Sequence, residues 1–204
     1  MTRIKICGLT RSGDVELCGA LGADYLGFNF SRRSPRRVDP ASAPDLVGAS
    51  EGRKRVGVFV DEDRDAVLRA IDALRLDLLQ FHREVREDDF TFGLPVIAVE
   101  RVFEGAIPAG RPLLARCHAV LFDTGHSRLA GGTGEAFDWS ALSGYAGPPL
   151  GVAGGLRPGN VGAAIRAARP FFVDAASGVE SAPGIKDPAK LRSFFDAVRS
   201  ADAA

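Results

Sequence analysis

Cysteine is scarce in this chain. Cys7, Cys18 and Cys117 stand far apart, and no Cys-x-x-Cys pair occurs. An odd, dispersed set argues against a disulfide framework and against a zinc site. Histidine is as sparse, and His82, His118 and His126 show no ligand spacing, so no metal is expected. Neither sign of charge is in excess, because 26 Lys and Arg balance 26 Asp and Glu. That balance supplies no global field for nucleic acid or an anionic membrane. No apolar run reaches membrane-spanning length, and the N-terminus lacks a basic stretch followed by an apolar one. A reduced, cytoplasmic protein is expected. The 204 residues, 46% of them hydrophobic, suit one substantial domain, and a single domain over 1–204 is expected.

What is present is a repeated pattern. Short β-branched or aromatic runs fall at 3–7, 24–30, 55–60, 77–81, 95–100, 119–123, 149–153 and 171–176. Their weak alternation suits a parallel sheet covered on its outer face. Helical stretches lie between them, at 13–21, 40–49, 63–74, 84–90, 108–117, 138–145, 158–168 and 188–200. Asp63-Arg64-Asp65 places acidic groups where a helix dipole favours them, and Pro158 and Pro188 suit first-turn positions. Leu191, Phe194, Phe195 and Val198 form one apolar stripe. Eight such units of about 25 residues predict a compact (β/α)8 TIM barrel. A doubly wound open sheet is the alternative, but no Gly-x-Gly-x-x-Gly follows the first strand.

In a barrel, chemistry belongs at the carboxyl ends of the strands. Cys7 ends the first strand. A free cysteine is usually a small buried hydrophobe, so its meaning comes from this position. Asp123 ends the sixth strand, where it either caps a turn or supplies an acid. A thiolate and a protonated carboxyl at one mouth could move protons in opposite directions. Gly154-Gly155 and Ser177-Gly178 close strands seven and eight, where barrels commonly bind phosphate through backbone N–H groups. Arg36, after strand two, could grip a carboxylate as a bidentate pair. Its neighbours Arg32, Arg33 and Arg37 have no interleaved aromatics, which disfavours a nucleic-acid face. Residues 125–137 form a long glycine-rich loop, read as a lid on which Arg128 could hold an anion. Gln80 and His82, at the end of strand four, are read as polar mouth residues.

With those residues identified, the chain resembles the phosphoribosylanthranilate isomerase family. The resemblance is carried by Lys5-Ile6-Cys7-Gly8-Leu9-Thr10, by 23–28 with Ser34-Pro35-Arg36, and by 56–60. It continues through Leu79-Gln80-Phe81-His82, Gly131-Gly132-Thr133-Gly134 with Phe137-Asp138-Trp139, and Ala153-Gly154-Gly155-Leu156. It ends with Ser177-Gly178-Val179-Glu180 and Pro183-Gly184-Ile185-Lys186-Asp187. The resemblance implies a cofactor-free Amadori rearrangement of N-(5-phosphoribosyl)anthranilate, a phosphorylated aminosugar, in tryptophan biosynthesis. It implies Cys7 as general base, Asp123 as general acid, Arg36 as the clamp on the anthranilate carboxylate, and the glycine turns as the phosphate site. It leaves monomer and homodimer both open.

Three positions depart from the family pattern: Arg83 replaces a usual glycine, Ala98 stands near a common lysine, and Asn29 sits where an aliphatic residue is usual. They motivate an alternative, a non-catalytic or substrate-shifted phosphosugar-binding barrel. An epimerase would need metal ligands, and an indole-glycerol-phosphate synthase a lysine-rich mouth; the sequence offers neither clearly.

Overall fold

A computed structural model describes residues 1–39, 42–102, 111–124 and 138–204. Eight parallel strands close on themselves in sequence order. They are β1 (Arg3–Cys7), β2 (Tyr25–Asn29), β3 (Lys54–Phe59), β4 (Leu78–Phe81), β5 (Val96–Val102), β6 (Ala119–Thr124), β7 (Leu150–Val152) and β8 (Phe172–Ala175). The ring closes where Ile4 and Lys5 of β1 stand beside Val173 and Asp174 of β8. The expected TIM barrel is therefore the fold, and the open sheet is excluded.

The two-residue period of a strand sorts each side chain to one of two cores. Tyr25, Val56, Leu78, Ile97, Leu121 and Phe172 point inward and fill the barrel as its apolar floor. Ile4, Ile6, Leu26, Phe28, Leu79 and Phe122 point outward and join the layer beneath the helices. The strand sequences read as continuously apolar because both faces are buried.

The helices are α1 (Ser12–Leu21), α2 (Ala43–Ala49), α3 (Arg64–Leu74), α4 (Val161–Ala168) and α5 (Pro188–Asp202). Asp63 caps α3 by accepting from the Ala66 N–H, and Asp187 caps α5 by accepting from Ala189 and Lys190. Pro188 takes the first helical turn as expected. On α5, Leu191, Phe194, Phe195 and Val198 are buried together. Full burial of each such side chain contributes about 1.5–3 kcal/mol.

Three expected helices are instead 3-10 turns. The 84–90 stretch becomes Glu87–Phe92, the described part of 108–117 holds Pro112–Arg116 while 108–110 lie outside the described residues, and 138–145 becomes Trp139–Gly144. In the first, Asp89 accepts from the Arg86 N–H and from the Arg83 guanidinium, competing with helical bonding. In the third, Asp138 caps the start, and Gly147-Pro148-Pro149 blocks continuation soon after the end. The fourth shift is smaller. Helix α4 starts at Val161 rather than Pro158, because Asn160 Oδ1 accepts the Arg157 N–H and holds a turn there. A short antiparallel hairpin, β9 (Glu180–Ala182) with β10 (Ile185–Lys186), was not expected from the sequence.

Gly151, on the inward face of β7, lies against the Phe172 ring, which an added Cβ would overlap. Gly151→Ala should therefore destabilise the barrel by about 1–3 kcal/mol, the usual cost of overpacking, measured by urea denaturation. Parent-like stability would show that Phe172 can yield.

Candidate active site

A cavity of about 300 Å³ opens above the carboxyl ends of the strands. Cys7, Arg36, His82, Asp123, Gly154, Gly155, Ser177 and Gly178 all line it. Eight of the ten site residues expected from the sequence thus meet at one mouth. Val58, Leu121 and Ala153 add apolar wall, and Asn29 and Asp174 add polar groups. Arg128 and the rest of the expected lid, 125–137, lie outside the described residues.

Gln80 is a correction. It is completely buried, and it does not line the cavity. Its inward position on β4 is one level below His82, and its amide Nε2 donates to His82 Nε2 at 2.9 Å. Gln80 therefore acts on the mouth through the orientation of the imidazole. Burial, then the charge of Lys5, lowers the His82 pKa to about 4, so the ring is neutral at neutral pH.

Arg36 is held rather than free. Its Nε donates to Glu180 Oε1 at 2.9 Å and its Nη2 to Glu180 Oε2 at 2.7 Å. Its alkyl stem crosses Gly8, where a Cβ would lie 2.5 Å from Arg36 Cδ and where φ is +73°. Glycine at position 8 is thus required twice, for its backbone and for the arginine above it. A guanidinium has five N–H donors in a fixed fork, so fixing one side by Glu180 leaves Nη1 for a second carboxylate.

Glu180 comes from the hairpin that the sequence did not reveal. Lys186 Nζ donates to Glu180 Oε1 at 2.8 Å, to the Cys7 carbonyl at 2.6 Å and to the Ala176 carbonyl at 3.2 Å. These contacts tie the ends of β1 and β8 to the hairpin. The motif Gly184-Ile185-Lys186 was visible, but nothing in its spacing showed that Lys186 would fold back inside. Burial pushes the Glu180 pKa up, yet hydrogen bonds and charges from Arg36 and Lys186 outweigh it, and the net value falls below the ordinary 4.5.

The two glycine turns touch each other. An added Cβ on Gly178 would run into the Leu156 carbonyl, so the β7 and β8 loops approach backbone to backbone. Asn160 Nδ2 also donates to the Gly155 carbonyl at 3.1 Å, bracing the first turn. Among the described residues, no group of three His, Cys, Asp or Glu side chains could hold a metal ion.

The departures from the family pattern sit away from the cavity, except Asn29. Arg83 makes a bidentate pair with Asp89 and lies over the Phe81 ring. Ala98 points into the outer layer, as its neighbours Ile97 and Val99 point inward. Asn29 lines the cavity, and its Oδ1 accepts the Ser31 N–H.

Fold and mouth together define a (β/α)8 barrel whose cavity lies at the carboxyl ends of its strands, the end where barrels of this kind carry out catalysis. Residues 4–197 match the family model described as N-(5'phosphoribosyl)anthranilate (PRA) isomerase. The chain is 44% identical to the N-(5'-phosphoribosyl)anthranilate isomerase of Pseudomonas aeruginosa over 201 residues, covering 97% of this chain and 95% of that one. Phosphoribosyl anthranilate isomerase from Thermotoga maritima superposes with a TM-score of 0.88 at 33% identity, covering 98% and 100% of the two chains. A structure of such an isomerase in complex with reduced 1-(o-carboxyphenylamino)-1-deoxyribulose 5-phosphate gives a TM-score of 0.85 at 31% identity, over 98% and 100%. The chain belongs to the phosphoribosylanthranilate isomerase family.

A carboxyl with a depressed folded pKa stabilises the fold above its unfolded pKa and loses that contribution as pH falls through the folded value. The Glu180 contribution should therefore be intact at neutral pH and disappear below about 4.5. Glu180→Gln should flatten this acid limb, followed by circular dichroism, and raise KM by loosening Arg36. An unaltered acid limb with unaltered KM would remove both roles.

Proposed function

We propose that this mouth isomerises N-(5'-phosphoribosyl)anthranilate to 1-(2-carboxyphenylamino)-1-deoxyribulose 5-phosphate, a step of tryptophan biosynthesis, with Asp123 as general acid and Cys7 as general base. The supporting observation is that a thiol from β1 and a carboxyl from β6 line the same cavity of about 300 Å³. Asp123 gives its proton to the ring oxygen of the furanose. The C1–O bond breaks, and the nitrogen lone pair forms an iminium. The Cys7 thiolate then takes the C2 proton, which the iminium has made acidic. The C–H pair becomes the C1=C2 bond, the C=N pair returns to nitrogen, and the enolamine tautomerises to the aminoketone. Asp123, now an anion, favours the cationic intermediate beside it.

Binding follows from the same geometry. Arg36 takes the anthranilate carboxylate on the side of its fork that Glu180 leaves open. The peptide groups of Gly154, Gly155, Ser177 and Gly178 take the phosphate, and Val58, Leu121 and Ala153 pack against apolar substrate surface. The reaction takes place in the cytoplasm and within a single domain. No cofactor enters this scheme. A non-catalytic barrel draws no support from Arg83 and Ala98, since neither lines the cavity.

Turnover is read as loss of anthranilate fluorescence. Cys7→Ala and Asp123→Ala should each lower kcat by about 10²–10⁴-fold, the usual range for a lost general base or acid. Arg36→Met should raise KM by about 10–100-fold, matching a lost charge-assisted hydrogen bond. Robust turnover by the Cys7→Ala/Asp123→Ala double variant would refute the assignment.

A further inference from the structure

Lys5 is completely buried inside the barrel, two residues before Cys7 on the same face of β1. It stands in register with Asp174 of β8, and its Nζ lies 2.9 Å from Asp174 Oδ2. A buried ion pair is weak evidence for stability, because desolvation offsets much of its attraction. Its place beside the thiol gives it chemical meaning. Gly27 is the β2 register partner of Cys7. A Cβ added at Gly27 would lie 3.0 Å from Cys7 Sγ and 3.1 Å from Lys5 Nζ. The absent side chain leaves sulfur and ammonium bordering one small space.

Lys186 is the other buried ammonium near this thiol, but its three donors are matched by three oxygens, Glu180 Oε1 and the Cys7 and Ala176 carbonyls. Lys5 has one oxygen partner among the described residues, Asp174 Oδ2. It retains donors for a further acceptor.

We propose that Lys5 is a positioning residue that stabilises the Cys7 sulfur as an anion, and that Asp174 competes with the sulfur for the same ammonium. The inference builds on Cys7 as the base. Among the described residues, the charged and titratable groups around Cys7 are Lys5 from β1, Arg36 from the loop after β2, His82 beyond β4, Asp123 from β6, Asp174 from β8 and Lys186 from β10. Burial is the largest influence on the thiol and holds its pKa above the ordinary 9.0; Lys5 is the strongest group opposing this, while Asp174 adds to it. Burial lowers the pKa of Lys5, but Asp174 and then Cys7 more than restore it, so the ammonium stays charged.

Asp174 also links this pair to the substrate. Its Oδ1 is buried with no hydrogen-bond partner among the described residues, and Asp174 lines the cavity. A sugar hydroxyl donating to Oδ1 draws on the carboxylate charge and weakens its hold on Lys5. The ammonium then serves the sulfur. The thiol S–H breaks with its proton passing to water, and the resulting anion is available to the C2 proton.

Alkylation of Cys7 by iodoacetamide tests this on the intact protein without substrate, because the thiolate is the reactive form. The Cys7 peptide is followed by mass spectrometry across a pH series, which separates it from Cys18 and Cys117. Asp174→Asn should speed alkylation at pH 7 about tenfold, the effect of a one-unit fall in thiol pKa. Lys5→Met/Asp174→Asn, which removes both charges, should reverse that gain and move the profile to higher pH. Alkylation no faster in Asp174→Asn than in the parent overturns the proposal, as does a double variant as fast as Asp174→Asn. Should the double variant not fold, the single variant decides alone. Turnover of Cys7→Ser is measured separately: full activity there would end the role of Cys7 as base without altering the Lys5 readout.

Discussion

Closure between β8 and β1 is the constraint on which the site depends. A parallel sheet has no hairpin to fix its last pairing, so the first strand must find the last across the whole chain. Here that pairing sets Lys5 beside Asp174 inside the barrel. Just above it, Lys186 from the hairpin bonds to the carbonyl of Cys7, which ends β1, and to that of Ala176, the residue after β8. The seam is thus held by a buried cation at each of two levels. Cys7 sits between them, and its position is set by the same contacts that close the ring.

The chain places an unusual amount of charge in a region without bulk water. Lys5, Asp174, Glu180 and Lys186 are all buried. Each has an oppositely charged partner within hydrogen-bonding distance. Isolated charges there would carry a heavy desolvation cost, which the partners offset. The arrangement also divides the labour. The Glu180 cluster orients Arg36 and fastens the rim, while the Lys5 pair lies beneath the mouth and faces the thiol. Apolar residues from Tyr25 to Phe172 fill the barrel below, so the polar groups are concentrated at the end where the strands finish.

Local sequence carried much of this. The strand positions were legible because both faces of each strand are apolar, and the residues at strand ends followed from counting strands. Cys7, Arg36, Asp123 and the glycine turns are assignable to one mouth from the sequence, since every strand of a closed parallel barrel points the same way. The stretches 84–90 and 138–145 differ from expectation because side-chain bonds of Asp89 and Asp138 to nearby backbone compete with helical bonding, which periodicity does not report. Gln80 was placed one level too high because its strand ends at Phe81 and the cavity begins at His82.

The sequence by itself determined where the strands fall, that both faces of each are buried, and the set of groups available at the carboxyl ends. Those properties depend on neighbours a few residues apart. Only the tertiary structure decided the pairings: Lys5 with Asp174, Arg36 with Glu180, and Lys186 with the ends of β1 and β8. These partners come from opposite ends of the chain or from an unforeseen hairpin. A charge in a sequence has no partner until the barrel closes, and burial then makes a partner obligatory.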